Sequence, residues 1–116
     1  MASVTDKLHD EMRAWRHDIH KHPELGFAEE RTAAKVAAGF KDWIEEGYDV
    51  VSLVPSCSMM LKFEWPLLAP DNEDVARLAR ATFDVAEYIV DIAKKEGLAP
   101  GLEPLGGGVA LHIACH

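Results

Sequence analysis

Two cysteines and two histidines are the residues of this chain that best suit metal or thiol chemistry. Cys57 lies in Pro55-Ser56-Cys57, and the last residues read His112-x-x-Cys115-His116. Thiolates and imidazoles bind zinc, and thiolates hold iron–sulfur clusters. A second interpretation stays open, in which both cysteines are small buried residues at strand ends, because they lie too far apart in sequence to form a local ligand motif.

Helix-spaced histidines and paired acids form a second group of candidates. His17 and His20 lie three positions apart, with His22 and Glu24 close behind, and they could share a metal ion. We interpret these histidines as solvated or capping groups, because no partner is spaced to complete the site. A nucleophilic role for Ser56-Cys57-Ser58 would need a histidine from the distant carboxyl end.

Composition limits the class of protein. The 116 residues are 48% hydrophobic and carry a formal net charge of −8, which suits one small acidic domain. An acidic surface argues against a nucleic-acid partner, and the apolar runs are too short for direct membrane insertion. With two cysteines and no export signal at the start, we expect reduced thiols and a cytoplasmic location.

Hydrophobic periodicity predicts the elements that must position these residues. A first helix ends before Pro23, and a second runs from about residue 28 to 46. The buried face of the second helix is predicted to comprise Ala33, Val36, Ala37, Phe40 and Ile44. A strand at 49–54, one long helix at 74–96 and a strand at 109–114 follow.

This order predicts a small α/β fold. Two N-terminal helices should pack beside a parallel strand–helix–strand unit, giving about two strands and three to four helices. Cys57 would follow the first strand and Cys115 the second, so both thiols would lie at the sheet edge where open α/β folds place ligands. A two-stranded sheet has exposed edges, so a homodimer is a further expectation.

Residues 8–43 contain Arg16-His17-Asp18-Ile19-His20-Lys21-His22-Pro23-Glu24-Leu25-Gly26-Phe27 and Glu30-Arg31-Thr32. Through these residues the stretch resembles the opening of metal-dependent amidohydrolases of the aminoacylase and hippurate hydrolase type. In that family this stretch is a helical pair ahead of the catalytic core. The resemblance therefore implies a helical segment at 1–46 and carries over no catalytic residue.

Residues 47–116 contain four stretches that carry a second resemblance: Gly47-Tyr48-Asp49-Val50-Val51, Val54-Pro55-Ser56-Cys57-Ser58-Met59-Met60-Leu61-Lys62-Phe63-Glu64-Trp65-Pro66, Thr82-Phe83-Asp84 and His112-Ile113-Ala114-Cys115-His116. Through them this part of the chain resembles the cysteine-rich (Cys-Cys-Gly) domains of iron–sulfur oxidoreductases. These include the cysteine-rich subunits of anaerobic glycerol-3-phosphate dehydrogenase and of heterodisulfide reductase. The resemblance implies that Cys57 and Cys115 are iron–sulfur ligands and that a flavoprotein or other redox subunit is the partner.

Three function classes follow from these residues. The resemblance favours a fragment of an iron–sulfur electron-transfer subunit, incomplete and not active alone, because a cluster needs about four protein ligands and two cysteines are present. Zinc is the alternative metal at Cys57 and Cys115, with His112 and His116 as further ligands. The second class is an amidohydrolase-derived fragment, which predicts zinc or manganese. The third is a non-catalytic structural or interaction domain that holds no metal.

Overall fold

The computed structural model of the protein describes residues 4–103 and 106–110. In chain order the elements are α1 (Val4–Lys21), α2 (Glu30–Glu45), β1 (Val50–Ser52), α3 (Pro55–Met59), a π-helical turn (Met60–Glu64), α4 (Trp65–Leu68), α5 (Glu73–Ala81), β2 (Thr82–Asp84) and α6 (Val85–Lys95). The predicted fold class is confirmed as a small α/β fold with two N-terminal helices and two parallel strands. Within the described residues, no helix is long and apolar enough to cross a membrane.

The two short strands pair in parallel, with Val50 opposite Thr82 and Ser52 opposite Asp84. Parallel neighbours need a crossover connection, because the chain must return to the same end of the sheet. Here the crossover is made by α3, the π-helical turn, α4 and α5. Both strands therefore end at the same edge of the sheet, beside α3 and the start of α6.

The prediction of one helix over 74–96 is wrong, because the chain turns extended at Thr82–Asp84 and forms β2 there. The Thr82 hydroxyl donates to the carbonyl oxygen of Leu78 at 2.7 Å, a bond from side chain to backbone that competes with regular helical structure. Asp84 then begins a new helix, with its side chain accepting from the N–H of Ala86 at 2.9 Å. The break gives more helices than expected.

The second strand was predicted at 109–114, and this placement is also wrong where the structure tests it. Val109 and Ala110 adopt no regular structure, and residues 111–114 lie outside the described residues. The strand partner of β1 comes instead from the interruption of the long helix at Thr82. Its residues Thr82 and Phe83 are of the β-branched and aromatic types that suit a pleated strand.

The core lies between α2 and the crossover. Ala33 and Ala37 of α2 are fully buried against Trp65, Val75 and Leu78. The rest of the predicted α2 face packs around this centre half-buried, namely Val36, Phe40 and Ile44. The prediction for this face is therefore confirmed, since residues at helical spacing share one side of a helix.

Helix α1 packs on the outer side of α2. The Trp15 ring meets the Phe40 ring edge to face, with centroids 5.8 Å apart. Gly39 of α2 lies under the Trp15 indole so closely that a Cβ there would collide with it. A glycine at this point lets the two helices approach, since any side chain would displace the ring.

Candidate functional site

The predicted ligand edge of the sheet holds Cys57, Ser58 and Asp84. Cys57 is a free, exposed thiol on the first turn of α3. The neighbouring Ser58 is buried, and its hydroxyl lies 2.8 Å from the carbonyl oxygen of Pro55 and 3.2 Å from Oδ2 of Asp84. This serine joins α3 to β2, so its hydroxyl is engaged in a structural contact.

Charged groups beside this edge form one connected network. Lys62 Nζ donates to both carboxylate oxygens of Glu87, at 2.9 and 2.7 Å, and lies 5.4 Å from the centre of the Phe83 ring. The hydrogen bond from Lys62 holds the pKa of Glu87 below its ordinary value of 4.5. Glu87 also accepts from the N–H of Asp84 at 3.3 Å, which completes a capping box at the start of α6. These groups tie the π-helical turn to α6.

The structure describes one of the four predicted metal ligands. Cys57 is described, whereas His112, Cys115 and His116 lie outside the described residues. Within residues 4–103 and 106–110, no three His, Cys, Asp or Glu side chains come together as a metal site. An iron–sulfur cluster needs about four ligands, and of these the described residues contribute Cys57 alone at the sheet edge. A fit to a cluster therefore depends on further thiolates reaching Cys57.

The histidines at the end of α1 and just after it are exposed to solvent. His17, His20 and His22 are all exposed. His17 Nε2 accepts from Arg16 at 3.3 Å, and His22 Nδ1 donates to the carbonyl oxygen of Asp18 at 2.9 Å. The His22 contact satisfies a carbonyl at the end of α1, which is a capping role.

Glu24 has a role that the sequence analysis missed. Its two carboxylate oxygens accept from the N–H of Arg31 at 2.9 Å and from the N–H and hydroxyl of Thr32 at 2.8 and 2.6 Å. Those N–H groups belong to the first turn of α2, where no intrahelical acceptor exists. The Thr32 hydroxyl, more than the other donors, holds the pKa of Glu24 below its ordinary value of 4.5. Glu24 therefore caps α2 from a distance, and Glu29, the residue at the cap position, makes no side-chain cap.

Asp18 fastens the same helix pair from the α1 side. Its Oδ2 lies 2.8 Å from Arg31 Nη2 and 3.2 Å from Lys35 Nζ. The hydrogen bonds from Arg31 and then Lys35 hold the pKa of Asp18 below its ordinary value of 3.8. The acids within the amidohydrolase-like stretch thus join α1 to α2.

The turn between these helices carries an unusual aromatic residue. Ala28 N–H donates to the carbonyl oxygen of Leu25 at 3.0 Å, which closes a turn with Gly26 and Phe27 at its centre. Phe27 has a positive φ of 66°, and its side chain is 89% exposed. Glycine is the residue that tolerates this left-handed conformation. A bulky aromatic residue here is a strained feature of the kind that clusters at functional sites.

Phe27 borders an apolar groove of about 530 Å³, here called the Phe27 groove. It is lined by Gly26, Phe27, Glu29, Thr32, Met60, Glu64, Trp65, Leu67 and Leu68. Leu67 is 81% exposed, and Phe63, one helical turn before it, is 59% exposed. A larger cavity of about 860 Å³ includes Glu24 and Asn72 in its lining, and these two side chains cap α2 and α5.

The groove was missed because its walls come from segments distant in sequence. Phe27 lies in the loop before α2, whereas Leu67 belongs to α4. In the sequence Phe27 is one apolar residue in a loop and Leu67 begins the short run Leu67-Leu68-Ala69, and exposed apolar residues of this kind need no explanation. Their joint exposure around one concavity is what marks an interaction surface.

The chain matches no protein-family model, and no curated protein or solved structure is similar to it at a significant level. The two family resemblances of the sequence analysis therefore stay predictions.

Proposed function

We propose that this protein is a non-catalytic interaction domain that binds a partner protein through the Phe27 groove. The observation that carries the proposal is the pair of large apolar side chains, Phe27 and Leu67, left exposed around one apolar concavity. Phe27 is held there on left-handed backbone. Conformational strain of this kind persists where the surrounding structure over-determines it, typically at binding and switch sites.

The groove has the parts of a binding hot spot. Trp65, Met60 and Leu68 are buried or half-buried and form apolar walls, while Phe27 and Leu67 stand out into solvent. Covering an exposed Phe or Leu side chain contributes about 1.5–3 kcal/mol. Two such residues beside a preformed apolar pocket supply the central anchor that protein interfaces use.

A displayed library of helical peptides tests this proposal. The full chain serves as the target, and the Phe27→Gly variant serves for counter-selection, because glycine fits the same backbone and removes only the ring. We expect enriched peptides with apolar anchors whose affinity falls at least tenfold in the variant. Enrichment of no peptide that depends on Phe27 would contradict the proposal.

We propose iron–sulfur electron transfer as a second candidate function, which the position of Cys57 favours. This free thiol is exposed beside the carboxyl ends of two parallel strands, and α/β folds use that edge for ligands. In this candidate the partner is a flavoprotein or other redox subunit, Cys115 supplies a further thiolate, and the location is cytoplasmic. A reducing compartment keeps such thiols free.

Iron and acid-labile sulfide content after anaerobic reconstitution tests the second candidate. The comparison uses the full chain with Cys57→Ser, Cys115→Ser and, as a matched control, Ser56→Ala. Stoichiometric iron and sulfide that both cysteine variants lose and the control keeps would support it. A folded protein without iron, or one whose iron survives both cysteine changes, would contradict it.

A further inference from the structure

Two glutamates, Glu29 and Glu64, lie among the residues that line the Phe27 groove. Glu29 lines it from the start of α2, and Glu64 lines it from the end of the π-helical turn. Across the described part of the chain, neither carboxylate has a hydrogen bond or an ion pair. An apolar groove with unneutralised carboxylates is electrostatically complementary to an apolar segment that also carries cations.

The nearest basic residues in sequence do not neutralise these carboxylates. Lys62 is bound to Glu87, and Arg31 is bound to Asp18. Among the described residues, no lysine or arginine lines the groove. The negative charge at the groove is therefore available to a ligand.

We infer that the partner segment is a basic amphipathic helix, an inference that rests on the proposed interaction function. Its apolar face would contact Phe27, Trp65 and Leu67, and its lysine or arginine side chains would meet Glu29 and Glu64. Helices of this kind bind grooves through apolar residues at i, i+3, i+4 and i+7. The groove volume of about 530 Å³ lies within the range of about 300–1,000 Å³ that is usual for binding pockets.

The charge of the whole chain points to the same occupant. With 20 acidic and 12 basic residues, the protein attracts cationic partners over long range. A second copy of this chain would bring the same net charge of −8 and would repel the first at low salt. A basic segment of another protein is attracted both by the net charge of the chain and by the two carboxylates of the groove.

Two designed peptides of about 16 residues test the inference, a length at which isolated helices begin to form. Both carry leucine at i, i+3, i+4 and i+7, and the other positions are mainly lysine in one peptide and mainly glutamate in the other. Fluorescence anisotropy with the full chain measures each dissociation constant at low and high salt. We expect the basic peptide to bind at least fivefold more tightly than the acidic one, with a ratio that shrinks as salt rises.

Paired variants separate the groove carboxylates from general charge. Glu29→Gln with Glu64→Gln should remove most of the preference for the basic peptide. Glu46→Gln with Glu103→Gln removes the same net charge from exposed residues that do not line the groove, and should keep the preference. Phe27→Gly should weaken binding of the basic peptide at least tenfold.

Any one of the following results would overturn the inference. Equal binding of both peptides, or a preference unchanged by the Glu29 and Glu64 changes, would remove the role of the groove carboxylates. Sedimentation showing a dimer that Phe27→Gly abolishes would place a second copy in the groove instead. If neither designed peptide binds but the library yields neutral or acidic peptides that depend on Phe27, the proposed interaction function holds and the basic partner is wrong. If the library also yields no peptide that depends on Phe27, both the interaction function and the basic partner are wrong.

Discussion

Replacing Phe27 with glycine tests how much the left-handed backbone at this residue affects stability, apart from what the ring contributes to binding. A residue other than glycine in the left-handed region costs about 1 kcal/mol, and glycine adds about 0.5–1 kcal/mol of unfolded-state entropy. The ring is 89% exposed, so its removal sacrifices about 0.5 kcal/mol of burial at most. Phe27→Gly should therefore change the free energy of unfolding by less than about 1 kcal/mol.

Phe27→Ala is the matched control, because it removes the ring but keeps a Cβ on the left-handed backbone. Glycine relieves about 1 kcal/mol of strain but loses about 0.5–1 kcal/mol to unfolded-state entropy, so we expect the alanine variant to be less stable than the glycine variant by about 0–0.5 kcal/mol. Urea unfolding followed by circular dichroism measures both values. An alanine variant more stable than the glycine variant by about 0.5 kcal/mol or more would refute the argument that residue 27 is strained. Both variants should lose binding at the groove equally.

Three further substitutions test the packing and capping described above. Leu78→Ala empties a fully buried site and should lower the free energy of unfolding by about 2–5 kcal/mol, measured in urea. Gly39→Ala should lower the free energy of unfolding, because overpacking against Trp15 costs about 1–3 kcal/mol and the gain in helix propensity is about 1 kcal/mol. In a Trp15→Leu background the same change should raise the free energy of unfolding, because the indole ring is gone. The lowered pKa of Glu24 means that its contribution is fully present above the ordinary pKa of 4.5 and is lost as pH falls through the folded-state pKa. Glu24→Gln should therefore lower the urea midpoint at neutral pH. On acidification from about pH 5 to 3 this variant should lose less stability than the unchanged protein does. Equal losses of stability in the variant and the unchanged protein would contradict the capping role.

Helix α2 shows what periodicity alone predicts well. Ala33 and Ala37 are fully buried, as their spacing indicates, because one face of a regular helix must meet the core. The position of Cys57 near a helix start after β1 also follows from local signals, with Pro55 at the first turn of α3. Such features depend on residues close together in sequence.

The break at Thr82 shows where periodicity misleads. Apolar residues continue at helical spacing on both sides of it, because α5 and α6 each need a buried stripe. The decisive signals were local: a β-branched Thr82 able to bind the Leu78 carbonyl, and Asp84 with Glu87 three residues later as a capping box. Those short-range hydrogen bonds outweigh the continuous pattern.

The groove could not be predicted from the sequence for a different reason. Phe27 and Leu67 border one groove only after α2 has packed on α5 and the crossover has placed α4 beside the α1–α2 turn. Glu24 was similarly hidden, since a carboxylate that caps a helix seven residues away is visible only when the turn is folded. Tertiary placement decides both features.

Photo-cross-linking in cells of the source organism tests the central claim most directly. A photoreactive phenylalanine analogue is placed at Leu67 in the groove and, as a control, at the exposed Lys94 of α6. The proposal predicts a defined protein adduct at position 67 that is absent at position 94, and a purified partner whose affinity falls at least tenfold with Phe27→Gly. The same adducts at both positions, or a partner that binds the Phe27→Gly protein equally well, would contradict it.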